Sequence, residues 1–265
     1  MATTAPVKEK VLDLDELLGA VSVSEAIPYL NWLIYGPPGA GKTYLAGTSK
    51  DEPELEPVLF LDIDKGTTTL RKFGKGIKVI PITSMLHLAE VFETLANHPT
   101  KYRTVVLDSI TELQNMNMKD IMRELIADTS NPNNATRDPH VPGKREWGKS
   151  SSMMREVVRK FRDLPCNTIF IAHSKTIEEE QFGGGSLSYI MPNLPGKLAT
   201  DVAGFIDIVG YLDVDTKDSQ IVRRLQVAKS RKIIAKDRLG VLGDVVIDPT
   251  MPKLYSRIIE TEGTN

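Results

Sequence analysis

Apolar residues in this chain fall in short blocks separated by polar stretches, and the spacing predicts strands alternating with helices. Trp32 to Tyr35 is one uninterrupted block. Val58-Leu59-Phe60-Leu61-Asp62 and Thr104-Val105-Val106-Leu107-Asp108 are two more, each closed by an aspartate. Ile77 to Ile82 and Thr168 to Ala172 have the same character. Runs of this length without polar alternation suit strands buried on both faces. Between them, a helix is expected from Lys42, over Leu86 to Leu95 and over Thr111 to Ala127. A basic helix is expected over Ser152 to Leu164 and a short one over Ala199 to Phe205. Phe205 to Val214 and Ile221 to Lys229 read as late strands forming a C-terminal β-hairpin. The pattern as a whole predicts an α/β fold, a mostly parallel central sheet flanked by helices.

Three stretches break the pattern. Residues 128–151 are polar and rich in Asn, Pro and Gly, and residues 176–195 contain Gly183-Gly184-Gly185. Both read as long loops. Residues 1–10 read as a flexible tail. Val11 to Leu18 has apolar residues at 11, 12, 14, 17 and 18, a short amphipathic helix that either packs on its own domain or docks on a neighbouring subunit. Residues 1–24 are therefore set apart from a single domain over residues 25–260, in which no internal repeat occurs.

Net charge is −2, so any nucleic-acid contact must come from local patches rather than a global field. Cys166 is the sole cysteine, which excludes an intramolecular disulfide and a cysteine metal cluster and suits a reducing compartment. Met1 to Lys10 lacks the apolar centre of a signal peptide, and no run of apolar residues is long enough to span a bilayer. A cytoplasmic location without membrane contact is expected. His87, His98 and His140 show no metal-binding spacing.

The chemistry is concentrated after the first block. Gly36-Pro37-Pro38-Gly39-Ala40-Gly41-Lys42-Thr43 fills the P-loop pattern between a strand and a helix that continues with Tyr44. Backbone N–H groups of such a loop cradle phosphate oxygens, the lysine reaches the β- and γ-phosphates, and the hydroxyl holds Mg²⁺. ATP and Mg²⁺ are thus the expected cofactors. Asp108, closing a downstream strand, fits the second Mg²⁺ carboxylate, the Walker B role. Along the chain, the block ending at Asp62 lies between the two Walker strands. Hydrolysis also needs a group that orients or deprotonates water. Asp62, Asp64 and Glu112 are the candidates; Asp62 or Asp64 could instead be an N-cap or turn carboxylate. Ser109, not glutamate, follows Asp108, which argues against a standard AAA+ loader or unfoldase.

Taken together these residues resemble the RecA-like P-loop ATPases. More narrowly they resemble core-only RecA-like ATPases of bacteriophages that act in single-strand annealing and recombination. The P-loop, Arg145-Glu146-Trp147-Gly148, Ala172-His173-Ser174 and Lys229-Ser230-Arg231 carry that likeness, over roughly residues 30–250. The resemblance implies that Asp64 is the catalytic acid and that His173, where RecA itself has glutamine, senses the γ-phosphate. It implies that residues 128–151 and 174–195 line a DNA channel. The first segment holds Arg137, Lys144, Arg145 and Lys149; the second holds Lys175, Phe182 and Tyr189, opposed by Glu178-Glu179-Glu180. Residues 223–238 contain seven Lys or Arg and one acid, Asp237. Two apart on a strand, Lys229 and Arg231 would share one face. The resemblance makes them fingers on a neighbour's γ-phosphate; a DNA-facing patch or a charge-blunted edge strand are the other readings.

The implied function is ATP hydrolysis on single-stranded DNA, in phage-type homologous recombination, annealing or repair. The implied partners are single-stranded DNA, further copies of the chain in a ring or filament, and a single-strand-binding protein. The implied location is the host cytoplasm if the chain is phage-encoded. The alternatives are an ATP-switched annealing scaffold with little hydrolysis, a loader or motor P-loop ATPase, and a small-molecule kinase. Trp147 is either a packing anchor or a base-stacking platform.

Overall fold

A computed structural model describes residues 17–20, 29–98, 101–180, 186–217 and 220–262. The chain runs β1 (Asn31–Gly36), α1 (Lys42–Gly47), β2 (Val58–Asp62), β3 (Ile77–Pro81), α2 (Met85–Asn97), β4 (Thr104–Asp108) and α3 (Ile110–Ala127). It continues α4 (Lys144–Arg162), β5 (Asn167–Glu180), β6 (Ser186–Pro192), α5 (Leu198–Phe205), β7 (Ile208–Lys217) and β8 (Gln220–Gln226). β9 (Lys236–Asp237), β10 (Val245–Ile247) and α6 (Met251–Glu262) complete it. Short 3-10 turns at Thr48–Asp51, Thr67–Gly76 and Pro132–Thr136 join these elements.

The sheet order is β10-β8-β7-β1-β5-β4-β2-β3, with β9 on β7 and β6 on the far half of β5. From β7 to β3 every neighbouring pair is parallel. β8, β9 and β10 pair antiparallel. This is the mostly parallel central sheet flanked by helices that was expected, with antiparallel strands at the C-terminal end. In the sheet β5, not β2, lies between β1 and β4; β2 lies beyond β4.

The uninterrupted apolar runs have a direct cause. Successive residues of a strand face opposite sides, and here both sides are covered. Trp32, Ile34, Phe60, Val106 and Ile171 pack in one layer with Leu45 of α1 and Leu254 of α6. Leu33, Tyr35, Leu61, Leu107 and Phe170 pack in the other with residues of α2, α3, α4 and α5. No helix among the described residues is long and apolar enough to cross a membrane.

Two expectations need correction. α4 starts at Lys144, not Ser152, so only residues 128–143 form the first loop. Glu146 explains the early start. Its Oε2 accepts from the Gly143 backbone N–H at 2.8 Å, satisfying a donor at the helix entrance, and Arg137 pairs with its Oε1 at 2.9 Å. The second segment is expected as a loop, but its described part is strand: Ser174–Glu180 pairs antiparallel with Ser186–Pro192, so β5 and β6 form a hairpin. Phe182 and the triple glycine lie outside the described residues. So do residues 1–16 and 21–28, and with them most of the expected N-terminal helix; Leu17 and Leu18 are 66% and 77% exposed.

Candidate nucleotide-binding site

β1 ends in the P-loop, and the packing around that loop demands its glycines. A Cβ on Gly36 would lie 2.0 Å from the Leu212 carbonyl oxygen of β7, so no larger residue fits. Gly41 has φ 100°, in the left-handed region that glycine adopts without strain. Ala40 is buried and its N–H closes a turn onto the Pro37 oxygen at 3.3 Å, while Pro38 and Gly39 are exposed. The Lys42 side chain is buried beneath the loop, where Nζ donates to the Gly36 oxygen at 3.0 Å and the Pro37 oxygen at 2.9 Å. Burial lowers its pKa, against the pull of Asp108 and Asp64. The Tyr44 ring packs on Phe73, centroids 5.1 Å apart.

Two strand ends, those of β2 and β4, bring acids to this loop. Thr43 Oγ1 donates to Asp108 Oδ2 at 2.6 Å. Burial pushes the Asp108 carboxyl up to about 6, helped by the charges of Asp64 and Asp62 and opposed by the Thr43 hydrogen bond. The Asp108 carbonyl accepts from the N–H groups of Ile63 (2.7 Å) and Asp64 (3.1 Å), which pins the end of β2 to the end of β4. Asp64 Oδ1 then accepts from Ser109 N at 3.2 Å and Ser109 Oγ at 2.8 Å. Its Oδ2 stands 3.4 Å from His173 Nε2. Burial raises the Asp64 pKa, but the bonds from His173 and Ser109 outweigh it and hold the carboxyl below its usual value. The Asp108–Ser109 peptide is cis.

His173 is in register with Gly36 across the β1–β5 pair. Its N–H donates to Thr111 Oγ1 at 3.0 Å, and its Nδ1 is buried without a partner among the described residues. The other two candidate acids are otherwise engaged. Asp62 accepts from Gly66 N at 3.2 Å and Thr67 Oγ1 at 2.9 Å, the work of a turn carboxylate. Glu112 accepts from Asn115 Nδ2 at 3.0 Å on its own helix.

The structure sorts the basic residues sharply. Lys229 and Arg231 do not lie on a strand. β8 ends at Gln226 because the N–H groups of Val227 and Ala228 turn to the Asp244 oxygen (3.0 and 3.2 Å), so the pair sits in an exposed turn and strand alternation does not align it. Arg224 pairs with Asp213 and Asp215, each at 2.8 Å. Lys236 Nζ caps the end of α5 through the Ile206 oxygen at 2.6 Å, and Arg238 pairs with Asp207 at 2.7 Å. Among the loop cations, Lys149 pairs with Glu124 at 3.0 Å, and Lys175 Nζ donates to the Leu194 oxygen at 2.6 Å. Tyr189 donates to Glu179 at 2.8 Å. On α4, Arg155 pairs with Asp201 at 2.7 Å and Arg159 covers the Phe205 ring at 4.3 Å. Lys144 and Arg145 are exposed, and Trp147 is 40% exposed rather than buried as an anchor. Arg223, which the sequence marked only as part of a basic run, lies against Gly41.

These residues fit a nucleoside triphosphate with Mg²⁺. The glycines let the backbone close on phosphate, Lys42 supplies the buried cation, and Thr43 and Asp108 offer the oxygen ligands that Mg²⁺ prefers. A family model described as an AAA domain matches residues 29–239, which contain every residue of the site. No curated protein matches the chain. Solved structures similar to it include the flagellar accessory protein FlaH from Methanocaldococcus jannaschii, at 14% identity over 89% of this chain and 90% of that one, TM-score 0.45. A KaiC-like protein from Pyrococcus horikoshii is 16% identical over 86% and 95% of the two chains, TM-score 0.42. The RadB recombinase is 17% identical over 82% and 88%, TM-score 0.42. With its P-loop, its Walker acid and a match across most of its length, the chain belongs to the AAA-domain family of P-loop ATPases.

Proposed function

We propose that this protein hydrolyses ATP and that single-stranded DNA stimulates the reaction. One observation carries the reading: Asp64, held charged beside Asp108, touches His173 on the strand that runs on into the β5–β6 hairpin. The P-loop from Gly36 to Thr43 holds the phosphates, with Lys42 on the β- and γ-groups. Thr43 and Asp108 hold Mg²⁺, which when bound neutralises charge on the phosphate oxygens. Asp64 Oδ2 accepts the proton of the attacking water. His173 Nε2 hydrogen-bonds that same oxygen and couples its position to the hairpin.

The basic turn supports the DNA assignment. Lys229, Arg231 and Lys232 are exposed there, and Ile190 N of β6 donates to the Lys232 oxygen at 2.6 Å. Ile234 N returns a bond to the Ile190 oxygen at 3.2 Å, and Tyr35 Oη of β1 donates to the Ile234 oxygen at 2.8 Å. Hairpin, basic turn and P-loop strand are thus joined by hydrogen bonds. Exposed cations attract the DNA backbone, and in an oligomer of this chain Lys229 and Arg231 complete the γ-phosphate site of the neighbouring copy. The biological setting is recombination, annealing or repair, alongside a single-strand-binding protein. ATP hydrolysis is measured with and without single-stranded DNA for wild type and Lys42→Ala. Stimulation in wild type and no turnover in the variant are expected. No DNA binding and no stimulation, with or without ATP, would overturn the proposal.

A further inference from the structure

We infer that Arg223 is a second cation of the nucleotide site, reaching the α- and β-phosphates from the flank opposite the acids. The inference rests on the reading of the P-loop as a nucleotide site. A Cβ built on Gly41 would stand 2.9 Å from Arg223 Nε, 3.4 Å from its Cδ and 3.8 Å from its Cζ. The guanidinium therefore lies directly on the last glycine of the loop. Its Nε is buried with no hydrogen-bond acceptor among the described residues. A buried cationic donor without an acceptor is costly, and the cost is relieved when a ligand brings the acceptor.

The nearby carboxylates do not take up this side chain. Asp213 and Asp215 are engaged by Arg224. Asp248 Oδ1 accepts the main-chain N–H of Arg223 at 3.0 Å, and the Asp248 N–H donates to the Arg223 oxygen at 2.7 Å. The backbone at Arg223 is therefore clamped while its guanidinium is left uncommitted beside the loop.

The sheet order says which phosphates it meets. β7 and β8 lie on one side of β1, whereas β5, β4 and β2, with His173, Asp108 and Asp64 at or just past their ends, lie on the other. Mg²⁺ and the γ-phosphate belong with the acids. Arg223 approaches from the other flank, so its partners are the α- and β-phosphates, common to ATP and ADP. A guanidinium suits that task, since its planar donors match phosphate oxygens in pairs. Arg223 acts within its own copy, unlike Lys229 and Arg231.

Calorimetric titration with MgATP and MgADP tests this on wild type, Arg223→Gln, Arg223→Lys and Lys42→Ala. Arg223→Gln is expected to weaken both nucleotides alike, by roughly tenfold or more, and Arg223→Lys to recover part of the loss. In turnover the loss falls on KM with kcat little changed, as for an interaction made equally in ground and transition states. Without nucleotide the melting temperature of Arg223→Gln holds or rises, because the removed cation had no partner, while the shift produced by ADP shrinks. Unchanged affinity for both nucleotides, a loss confined to ATP, or a lower melting temperature with an undiminished ADP shift would each overturn the inference and leave the nucleotide site standing. If wild type binds neither nucleotide, or Lys42→Ala binds as well as wild type, the nucleotide reading falls and this one with it.

Discussion

Asp108→Asn should make the nucleotide-free protein more stable at neutral pH while removing its activity. The Asp108 carboxyl titrates at about 6 in the folded chain, against an ordinary value of 3.8, because it is buried and shares the site with Asp64 and Asp62. The folded state therefore holds this proton more tightly than the unfolded chain. The stability it contributes is present in full below pH 3.8 and is lost as pH rises through about 6. At about 1.36 kcal/mol per pH unit, the ionised carboxylate costs about 3 kcal/mol above that window. Asparagine has the same shape and keeps an oxygen for the Thr43 hydroxyl, and the favourable effect of that bond on the charge is already contained in the value of about 6. The gain is about 3 kcal/mol at pH 7.5, smaller at pH 5 and near zero at pH 3.5. Urea unfolding followed by circular dichroism across these pH values reads it directly, and ATP turnover measured in parallel should vanish. A variant less stable than wild type at pH 7.5, or a gain that does not shrink toward pH 3.5, would refute the claim that charge at Asp108 is held against its own stability.

Asp64→Asn should lower kcat by about 10²- to 10⁴-fold with a small change in KM, as expected for loss of a general base; a residual rate within tenfold of wild type would move that role elsewhere. Its stability effect runs opposite to that of Asp108. A carboxyl held below its usual value stabilises above that value and loses the effect as pH falls through the depressed one, so the deficit of this variant should close in acid. Lys42→Ala mixed with Arg231→Ala should regain hydrolysis that neither shows alone, and no recovery at any mixing ratio would rule out the trans-acting role. ATP should tighten binding of fluorescent single-stranded DNA by the factor with which DNA tightens ATP, about 5- to 150-fold by linkage; ATP-independent DNA affinity would uncouple the two sites.

The sheet was legible because its strands alternate residues into two covered layers. Trp32 and Ile34 face one layer and Leu33 and Tyr35 the other, so the sequence reads as an unbroken apolar run. The P-loop and Asp108 were legible because their chemistry is local. The start of α4 was not, since a helix of Lys, Arg, Gly and Ser carries little periodic signal and its cap depends on Glu146 reaching back to Gly143. The β5–β6 hairpin was missed for a related reason: Glu178 and Glu179 are exposed on a strand that packs only partly on the core. Lys229 and Arg231 were misplaced because Asp244, distant in sequence, draws the chain off β8 two residues earlier. The contact of Arg223 with Gly41 exists only because β7 and β8 pass beside the P-loop, which no local pattern encodes. Ser109 in place of glutamate was legible as a departure. Its structural meaning, a hydroxyl holding Asp64 and capping α3, required the fold.

The strand order limits how this site can communicate. Among the described residues β5 is the only strand that pairs with both β1 and β4, so its residues abut the phosphate loop and the Walker acid together. Ile171 is in register with Asp108 and His173 with Gly36. β5 is also the strand that leaves the parallel sheet to form the hairpin, starting at Ser174, one residue beyond His173. A shift of His173 driven by Asp64 at one side therefore has a paired strand on the other through which to act, and the basic turn is hydrogen-bonded to that strand's partner. Arg223 lies outside this route, on the β8 flank. On the proposed function and the role inferred for Arg223, the two cations that one copy places at its own phosphate loop then divide the work. Lys42 faces the acids and the side from which β5 leaves, where the presence of the γ-phosphate can be sensed. Arg223 holds what ATP and ADP share, so it secures the nucleotide through hydrolysis without reporting on it.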